Sequence, residues 1–256
     1  MGQCNCNETK GDEHRTEQFF LEGRTHSLTP AEALQLTVMR DLVTNMTEFN
    51  YKQSMGEISF NPLELEDRSV DYPDGGNYTG EWNPIKNGRE GAGIYDHPSG
   101  IRFEGYWLDD KKSGPGREII LGKEVYEGYW LNDKRHGEGR LVSNDGREYS
   151  GNWENGFKEG RGVETGRDGL YFDGEFRQGL RHGHGTLRLP KGAVYEGMFA
   201  RNLFEGRGRY RYADGKEYEG EWREGKMNGK GTFTMPDGKM YEGEYANDKK
   251  HGRGSF

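Results

Sequence analysis

Aromatic residues and glycines alternate at a fixed spacing along the second part of the chain. An aromatic residue, any residue and a glycine form a triplet that recurs in one register through eight units between residues 78 and 256. The first step between triplets is 25 residues, and each of the next six steps is 23 residues. A constant step of this size is typical of a chain built from structural repeats. The leading aromatic residues are Tyr78, Phe103, Tyr126, Tyr149, Phe172, Tyr195, Tyr218 and Tyr241.

Two further features follow each triplet at constant spacing. A second aromatic residue comes two positions after the glycine, at Trp82, Trp107, Trp130, Trp153, Phe176, Phe199, Trp222 and Tyr245. A Gly-x-Gly pair closes every unit and begins at Gly91, Gly114, Gly137, Gly160, Gly183, Gly206, Gly229 and Gly252. This register, kept through eight units, defines the repeat.

The alternation within each triplet predicts a β-strand. Residues two positions apart in a strand share a face, so both aromatic residues and the glycine between them point to one side. The glycine leaves space for a ring from the next strand to lie over the backbone. Asp-Gly pairs such as Asp145-Gly146 and Asp214-Gly215 stand four residues before a leading aromatic, and they are typical of tight turns. We therefore predict an all-β fold of eight stacked hairpins, or about sixteen antiparallel strands.

These residues resemble a known family. The segments YEGEWREGKMNGKGTFTMPDGK, from Tyr218, and YEGEYANDKKHGRGSF, from Tyr241, are similar to MORN (membrane occupation and recognition nexus) repeats. The resemblance covers residues 78–256 and implies an elongated, single-layer antiparallel array of β-hairpins. It also implies a non-catalytic scaffold, because such arrays occur in cytoskeletal and ciliary assemblies, at membrane junctions and as lobes attached to enzymes.

Composition and charge exclude several other classes. Only 30% of the residues are hydrophobic and 42 are glycine, so a large conventional core and a doubly wound enzyme are disfavoured. Residues 1–77 carry 6 Lys+Arg and 14 Asp+Glu, whereas residues 78–256 carry 30 of each and have no net charge. A neutral repeat region argues against binding to nucleic acid.

The first 28 residues predict an acidic N-terminal arm with a candidate acylation site. Gly2 is the acceptor for N-myristoylation once methionine is removed, and Cys4 and Cys6 are candidate palmitoylation sites. One myristoyl chain binds a membrane only marginally, and a second lipid makes attachment stable. The preferred Ser or Thr at position 6 is replaced by Cys6, so an unmodified start stays open as the alternative.

Residues 29–77 predict a helix followed by a connecting segment. At about 29–46, Thr29 can cap a helix, Pro30 takes its first position and Glu32 completes a capping box. An apolar stripe follows at i, i+4 spacing: Leu34, Val38, Leu42 and Met46. Two interpretations stay open, a helix that caps one end of the sheet and a helix that binds a partner.

Candidate chemical sites are few. The stretch from Gly220 to Lys226 satisfies GxxxxGK, but it ends in Met227 where magnesium requires a hydroxyl group. Histidines recur at equivalent positions two or more repeats apart, too far to share one metal ion. We therefore expect no catalytic residue, no metal and no cofactor. The histidines are His136, His182 and His251.

A column of basic residues recurs at multiples of 23, where we expect the turn after the first strand of a hairpin. Its members are Lys112, Arg135, Lys158, Arg181 and Lys250. A ladder of cations on one edge can hold anionic lipid headgroups or an acidic partner. The alternative is a solvated edge whose charges are balanced by neighbouring carboxylates.

Two function classes follow. One is a scaffold or adaptor that binds proteins, and in addition anionic lipid, and is tethered to a membrane by N-terminal acylation. The other is a structural subunit of a cytoskeletal or ciliary assembly without a lipid anchor. Either would place the protein on the cytoplasmic side of the cell and not outside it. The chain ends at Phe256, within the second strand of its last unit, so we also expect an exposed sheet edge able to mediate self-association.

Overall fold

The computed structural model describes residues 65–256. In that part of the chain every regular element is a β-strand and no helix occurs. The strands form two compact units, divided in sequence between Asp133 and Lys134. The predicted arm (1–28) and the predicted helix (29–46) lie outside the described residues and stay predictions.

Unit 1, the described residues up to Asp133, is an antiparallel sheet in which each strand pairs with the next one along the chain. The strand β1 lies in the connecting segment. We did not predict it, because the aromatic pattern is absent there. It pairs with β2 from Glu66 opposite Trp82 to Asp71 opposite Asn77. The strands are β1 Glu66–Asp71, β2 Asn77–Asn83, β3 Gly88–His97, β4 Ile101–Leu108, β5 Lys111–Ile120 and β6 Glu124–Leu131.

Unit 2, from Lys134 to Phe256, follows the same rule of sequential antiparallel pairing. The all-β, antiparallel hairpin fold predicted from the sequence is therefore confirmed. The strands are β7 Lys134–Ser143, β8 Glu148–Glu154, β9 Phe157–Thr165, β10 Tyr171–Arg177, β11 Leu180–Arg188, β12 Val194–Ala200, β13 Leu203–Arg211, β14 Glu217–Arg223, β15 Lys226–Thr234, β16 Met240–Ala246 and β17 Lys249–Ser255.

Two kinds of turn join the strands. Within a repeat, two residues with positive φ make the connection, as at Arg201 (φ 49°) and Asn202 (φ 70°), which is the geometry of a type I′ hairpin. Between repeats, a longer turn ends in the glycine of the Asp-Gly pair. Gly146 has a φ of 79°, and its N–H donates to the carbonyl of Ser143 at 2.9 Å. The predicted Asp-Gly turns are thus confirmed.

The first glycine of each Gly-x-Gly pair forms a β-bulge. Its φ lies between 61° and 89° in all eight units, a left-handed conformation that suits glycine. At Gly183 the register between β10 and β11 shifts opposite Gly174 and Glu175. The Glu175 carboxylate accepts a hydrogen bond from the N–H of His184, next to the bulge, at 3.4 Å. Because a bulge bends its strand, each hairpin is bent at its glycines.

The second glycine of the pair makes room for the leading aromatic ring. A Cβ on Gly162 would lie 2.5 Å from the ring of Tyr149, which therefore covers the glycine backbone of its own hairpin rather than that of the next repeat. The Tyr149 hydroxyl donates to the carbonyl of Asn152 at 2.9 Å. Burial raises the pKa of this hydroxyl well above its usual range, so it stays protonated at neutral pH.

The aromatic residues form the core of each unit. The rings of Tyr149 and Trp153 pack edge to face, with centroids 5.2 Å apart. The rings of Tyr149 and Phe176, from successive repeats, pack in the same way at 5.0 Å. Edge-to-face contact is a favoured arrangement for aromatic pairs, so stacked hairpins stabilise one another. All eight leading aromatics are buried.

Candidate functional site

The aromatic face of the sheet holds its strands together by a repeated hydrogen bond. Nε1 of Trp222 donates to the carbonyl of Gly208, on the preceding strand, at 3.0 Å. Trp107, Trp130 and Trp153 make equivalent bonds of 3.2 to 3.4 Å. At Trp82 the preceding strand is β1, where Arg68 stands opposite Gly80. The Nε1 of Trp82 has no hydrogen-bond partner among the described residues.

The five residues of the predicted basic column also lie on this aromatic face. Each is the second residue of a strand, so their placement in the turn was wrong: the turn takes only two residues, and the column follows it. Each side chain lies over an aromatic ring. Lys112 lies over Phe103 and Trp130, Arg135 over Trp153, Lys158 over Tyr149, Arg181 over Phe172 and Lys250 over Tyr241, with distances to the ring centroids of 4.0 to 5.4 Å.

A carboxylate joins two members of the column in unit 2. Glu164 Oε1 lies 2.7 Å from Nζ of Lys158, and its Oε2 lies 2.6 Å from the Arg181 guanidinium. Burial by itself raises the pKa of Glu164. The hydrogen bonds and charges of the two cations outweigh it, so the pKa lies below its ordinary value. Lys112 makes a similar ion pair with Glu118 in unit 1.

These contacts give the column a role within the sheet. Its cations cover aromatic rings and neutralise buried carboxylates, two interactions that hold a long side chain against the protein. Contact of the same cations with lipid headgroups stays a prediction.

The opposite face of unit 2 forms an open groove of about 990 Å³ across β11 to β17. Its floor is the backbone of a row of glycines, whose Cβ positions point to the aromatic rings on the other face: Gly197, Gly208, Gly220, Gly231, Gly243 and Gly254. Its walls are charged side chains of both signs. The sequence did not reveal this groove, because its lining residues come from seven strands.

Charges in the groove alternate from strand to strand. Arg207 pairs with Glu221 across β13 and β14, and Lys230 pairs with Glu244 across β15 and β16. Nearby, the Arg209 guanidinium lies 2.7 Å from the Glu217 carboxylate. The hydrogen bond from Arg209, and a second one from Arg211, lower the pKa of Glu217 despite its partial burial. The result is a solvent-exposed ladder of opposite charges.

The second face of unit 1, opposite its aromatic face, carries different side chains. Tyr106 is 8% exposed, and Ile119 and Val125, which pair across β5 and β6, are 0% exposed. Arg102 is also buried there, between the carboxylates of Asp96 and Glu104. This face therefore combines buried apolar residues with enclosed ion pairs, whereas the groove of unit 2 is charged and open.

The remaining candidates from the sequence are separated or lie outside the described part. His136, His182 and His251 lie on β7, β11 and β17, and no group of three or more potential metal ligands occurs within residues 65–256. The GxxxxGK stretch spans the β14–β15 hairpin. Gly2, Cys4 and Cys6 lie outside the described residues. From Leu65 onward, no helix offers a stretch that would cross a bilayer.

Comparison with known proteins agrees with the hairpin array. A chain in which one bulged hairpin is repeated, with its surfaces formed by successive units, is a β-repeat protein. The sequence model described as "MORN repeat" matches seven segments that together make up more than half of the chain, and the chain belongs to the MORN repeat family. The segments are 103–119, 126–146, 149–171, 172–194, 195–217, 218–240 and 241–256. The eighth unit, from Tyr78, lies before the first of these and forms the β2–β3 hairpin.

Other similarities are distant. No curated protein gives a significant sequence match. Among solved structures, the chain resembles the SAS-4 (dCPAP) TCP domain of Drosophila melanogaster, solved in complex with a proline-rich motif of Ana2 (dSTIL). The two are 14% identical with a TM-score of 0.35, and the match covers 73% of this chain and 93% of that chain.

Proposed function

We propose that the protein is a non-catalytic scaffold whose MORN sheet binds protein partners through the charged groove of unit 2. The observation that carries this proposal is the groove itself, a surface of about 990 Å³ with a glycine floor. The backbone floor between walls of charged side chains can hold an extended polypeptide. The alternating charges suit a segment that carries both signs, because complementary charges fix orientation and exclude wrong partners.

The titration of the described carboxylates supports a binding role rather than catalysis. A carboxylic acid that acts as a general acid has a raised pKa. Within residues 65–256, each carboxylate with a resolved shift has a lowered pKa: Asp145, Glu164, Asp214, Glu217 and Asp237. These groups accept hydrogen bonds from neighbouring cations or backbone N–H groups, which suits structural ion pairs.

Charge reversal in the groove tests the proposal. The double variant Arg207→Glu and Lys230→Glu removes two cations that line the groove. The matched control Arg223→Glu and Lys226→Glu reverses two exposed cations at the end of the β14–β15 hairpin, outside the groove. Tagged full-length proteins are expressed in the native cell, and co-purifying proteins are quantified by mass spectrometry.

We expect at least one protein to be lost with the groove variant and retained with the control. Direct binding of that protein is then measured with purified components, where the groove variant should bind about tenfold or more weakly. If both variants retain the same set of proteins, the groove does not recruit partners and the proposal is wrong.

The location of the scaffold is a separate proposal. We infer a membrane tether from Gly2, Cys4 and Cys6, since acylation at two of these positions would give stable attachment. The mass of the N-terminal peptide from native protein reports these lipids directly, and Gly2→Ala should release the protein from membranes. An assembly subunit of the cytoskeletal or ciliary kind would instead carry no lipid and stay in the pellet after non-ionic detergent.

Two surface predictions accompany the tether. If the basic column contacts anionic lipid, the full-length protein should bind phosphatidylserine vesicles in flotation, and Lys112→Gln with Lys250→Gln should weaken that binding. If the edge strand β17 mediates self-association, the apparent mass in solution should rise with concentration. A concentration-independent monomer contradicts the second prediction.

A further inference from the structure

The second face of unit 1 is more deeply buried than one layer of strands can explain. In a single sheet, each strand buries residues on a face only where another layer or long neighbouring side chains cover it. Ile119 and Val125 lie on the face opposite the aromatic row, yet both are 0% exposed in the isolated chain. Tyr106 on the same face is 8% exposed, and Arg102 is 4% exposed.

The same positions in the repeats of unit 2 show that the repeat geometry alone does not bury them. The residues equivalent to Ile119 are Val142, Thr165, Arg188, Arg211 and Thr234, of which only Val142 is buried. The residues equivalent to Val125 are Glu148, Tyr171, Val194, Glu217 and Met240, and none of them is buried. Burial of this face is therefore found in unit 1 and at Val142, and it does not recur in the later repeats.

We propose that residues 29–46 of this same chain dock on the second face of unit 1 as an amphipathic helix. We expect the cover to come from the chain itself, because the burial occurs with no partner chain present. The described residues from 65 onward supply strands that are already used in the sheet. The predicted helix has an apolar stripe that can pack against this face. The stripe is formed by Leu34, Val38, Leu42 and Met46.

The predicted helix is long enough to cover the buried residues of this face. A helix of 18 residues is about 27 Å long at 1.5 Å per residue. The buried residues lie on β4, β5 and β6, and three strands about 4.8 Å apart cover roughly 10 to 14 Å. Residues 47–64 connect the helix to β1, and an extended segment of that length reaches up to about 60 Å. Since β1 pairs with β2, the face lies well within reach.

The polar groups at this face are compatible with an apolar cover. The Arg102 guanidinium lies 3.0 Å from the Asp96 carboxylate and is also hydrogen-bonded to Glu104 at 2.5 Å. A buried arginine requires partners of this kind, because an unpaired charge away from water is strongly destabilising. Arg117 is likewise paired with Glu127. Ile94, Tyr106, Ile119 and Val125 supply the apolar contact surface.

Cysteine accessibility tests this docking in the full-length chain. The only two native cysteines, Cys4 and Cys6, are replaced by serine, and one reporter cysteine is introduced as Ile119→Cys on the proposed interface. Glu196→Cys on the exposed groove of unit 2 is the reference reporter. The rate of modification by an uncharged maleimide is measured for each, with circular dichroism and tryptophan emission as checks of the folded sheet.

The perturbing variant is Leu42→Asp, in the middle of the apolar stripe, and the matched control is Thr44→Asp, on the opposite side of the predicted helix. We expect Ile119→Cys to react about a hundredfold more slowly than Glu196→Cys, since modification requires local opening. Leu42→Asp should accelerate it about tenfold or more, while Thr44→Asp should leave it unchanged.

Two results would overturn the proposal. One is that Ile119→Cys reacts as fast as Glu196→Cys, which would mean that the face is open in solution. The other is that Ile119→Cys stays slow with both Leu42→Asp and Val38→Asp in a folded protein, which would assign the cover to another segment. If Ile119→Cys or Leu42→Asp does not fold, Ile94→Cys and Leu42→Ser provide the same comparison with milder changes.

Discussion

Unit 1 and unit 2 are built from the same bulged hairpin, but they differ on the face that the aromatic core does not use. In unit 2 that face carries Arg207, Glu221, Lys230 and Glu244 around a glycine floor. In unit 1 it carries apolar residues such as Ile119, which is completely buried. The shared face sets the fold, and the variable face distinguishes the two units.

This difference shows how a protein built from similar repeats can carry different surfaces. The leading aromatic, the glycine pair and the bulge must recur, because each hairpin packs against the next through them. The alternate positions of each strand point away from that core and are free to vary. The following predictions test whether the core is equivalent in both units and how much individual positions contribute to it.

The largest effect is expected when the space above a glycine pair is filled. A Cβ on Gly162 in unit 2 would lie 2.5 Å from the Tyr149 ring, and one on Gly116 in unit 1 would lie 2.5 Å from the Phe103 ring. Gly162→Val and Gly116→Val should each lower the free energy of unfolding by about 3 kcal/mol, measured by urea denaturation. Gly156→Ala, at a positive φ but with open space around it, should cost only about 1 kcal/mol. Equal losses at positions 156 and 162 would contradict the packing argument.

The next effect concerns the carboxylate between two cations. Glu164→Gln should lower the free energy of unfolding at pH 7 by about 2 kcal/mol, because Lys158 and Arg181 lose their shared partner. The pKa of Glu164 is lowered in the folded state, so its contribution is present above the ordinary value of 4.5 and is lost as the pH falls through the folded value. The difference between wild type and variant should therefore shrink in acid. The exposed Glu154→Gln should show neither the loss nor this pH dependence.

A smaller difference in stability is expected between substitutions of one tryptophan in each unit. Trp82 in unit 1 and Trp222 in unit 2 are both 6% exposed, but only Trp222 donates a hydrogen bond from Nε1 to a carbonyl within the described sheet. Trp222→Phe should therefore cost about 1 kcal/mol more than Trp82→Phe in thermal or urea unfolding. If the two substitutions cost the same, the repeated tryptophan bond does not stabilise the sheet.

The smallest effect is expected at the two-residue turns. Arg201 in unit 2 adopts a φ of 49°, so Arg201→Gly should raise the free energy of unfolding by up to about 1 kcal/mol. Asp109 in unit 1 has a φ of 48°, but aspartate tolerates this conformation and its carboxylate lies 2.8 Å from Nζ of Lys86. Asp109→Gly should therefore give no gain. A rise in melting temperature for both variants would contradict this difference. It would show that the positive φ alone determines the gain in stability.

Much of the aromatic face was accessible from the sequence. The spacing of Tyr149, Gly151 and Trp153 predicted a strand with its rings on one side, and Asp145-Gly146 predicted the turn that precedes it. The left-handed bulge at Gly183 had a signal as well, in the recurring Gly-x-Gly pair, although its geometry was not anticipated. The strand β1 had no such signal, because Arg68 and its neighbours lack the repeat pattern.

The candidate surfaces could be identified only from the assembled sheet. The basic column was found by its spacing, but its position over aromatic rings depends on two strands brought side by side. Glu164 joins Lys158 of its own hairpin to Arg181 of the following repeat, and no local pattern reports such a pairing. The groove likewise combines residues from seven strands of unit 2.

The repeat, the strand faces and the tight turns could be predicted from the amino-acid sequence, because they follow from short-range sterics and from a side-chain period of two. The burial of Ile119 and Val125 in unit 1, and the open charged groove in unit 2, became visible only in the folded sheet. Whether a face is buried depends on what packs against it, and that contact joins residues far apart in the chain.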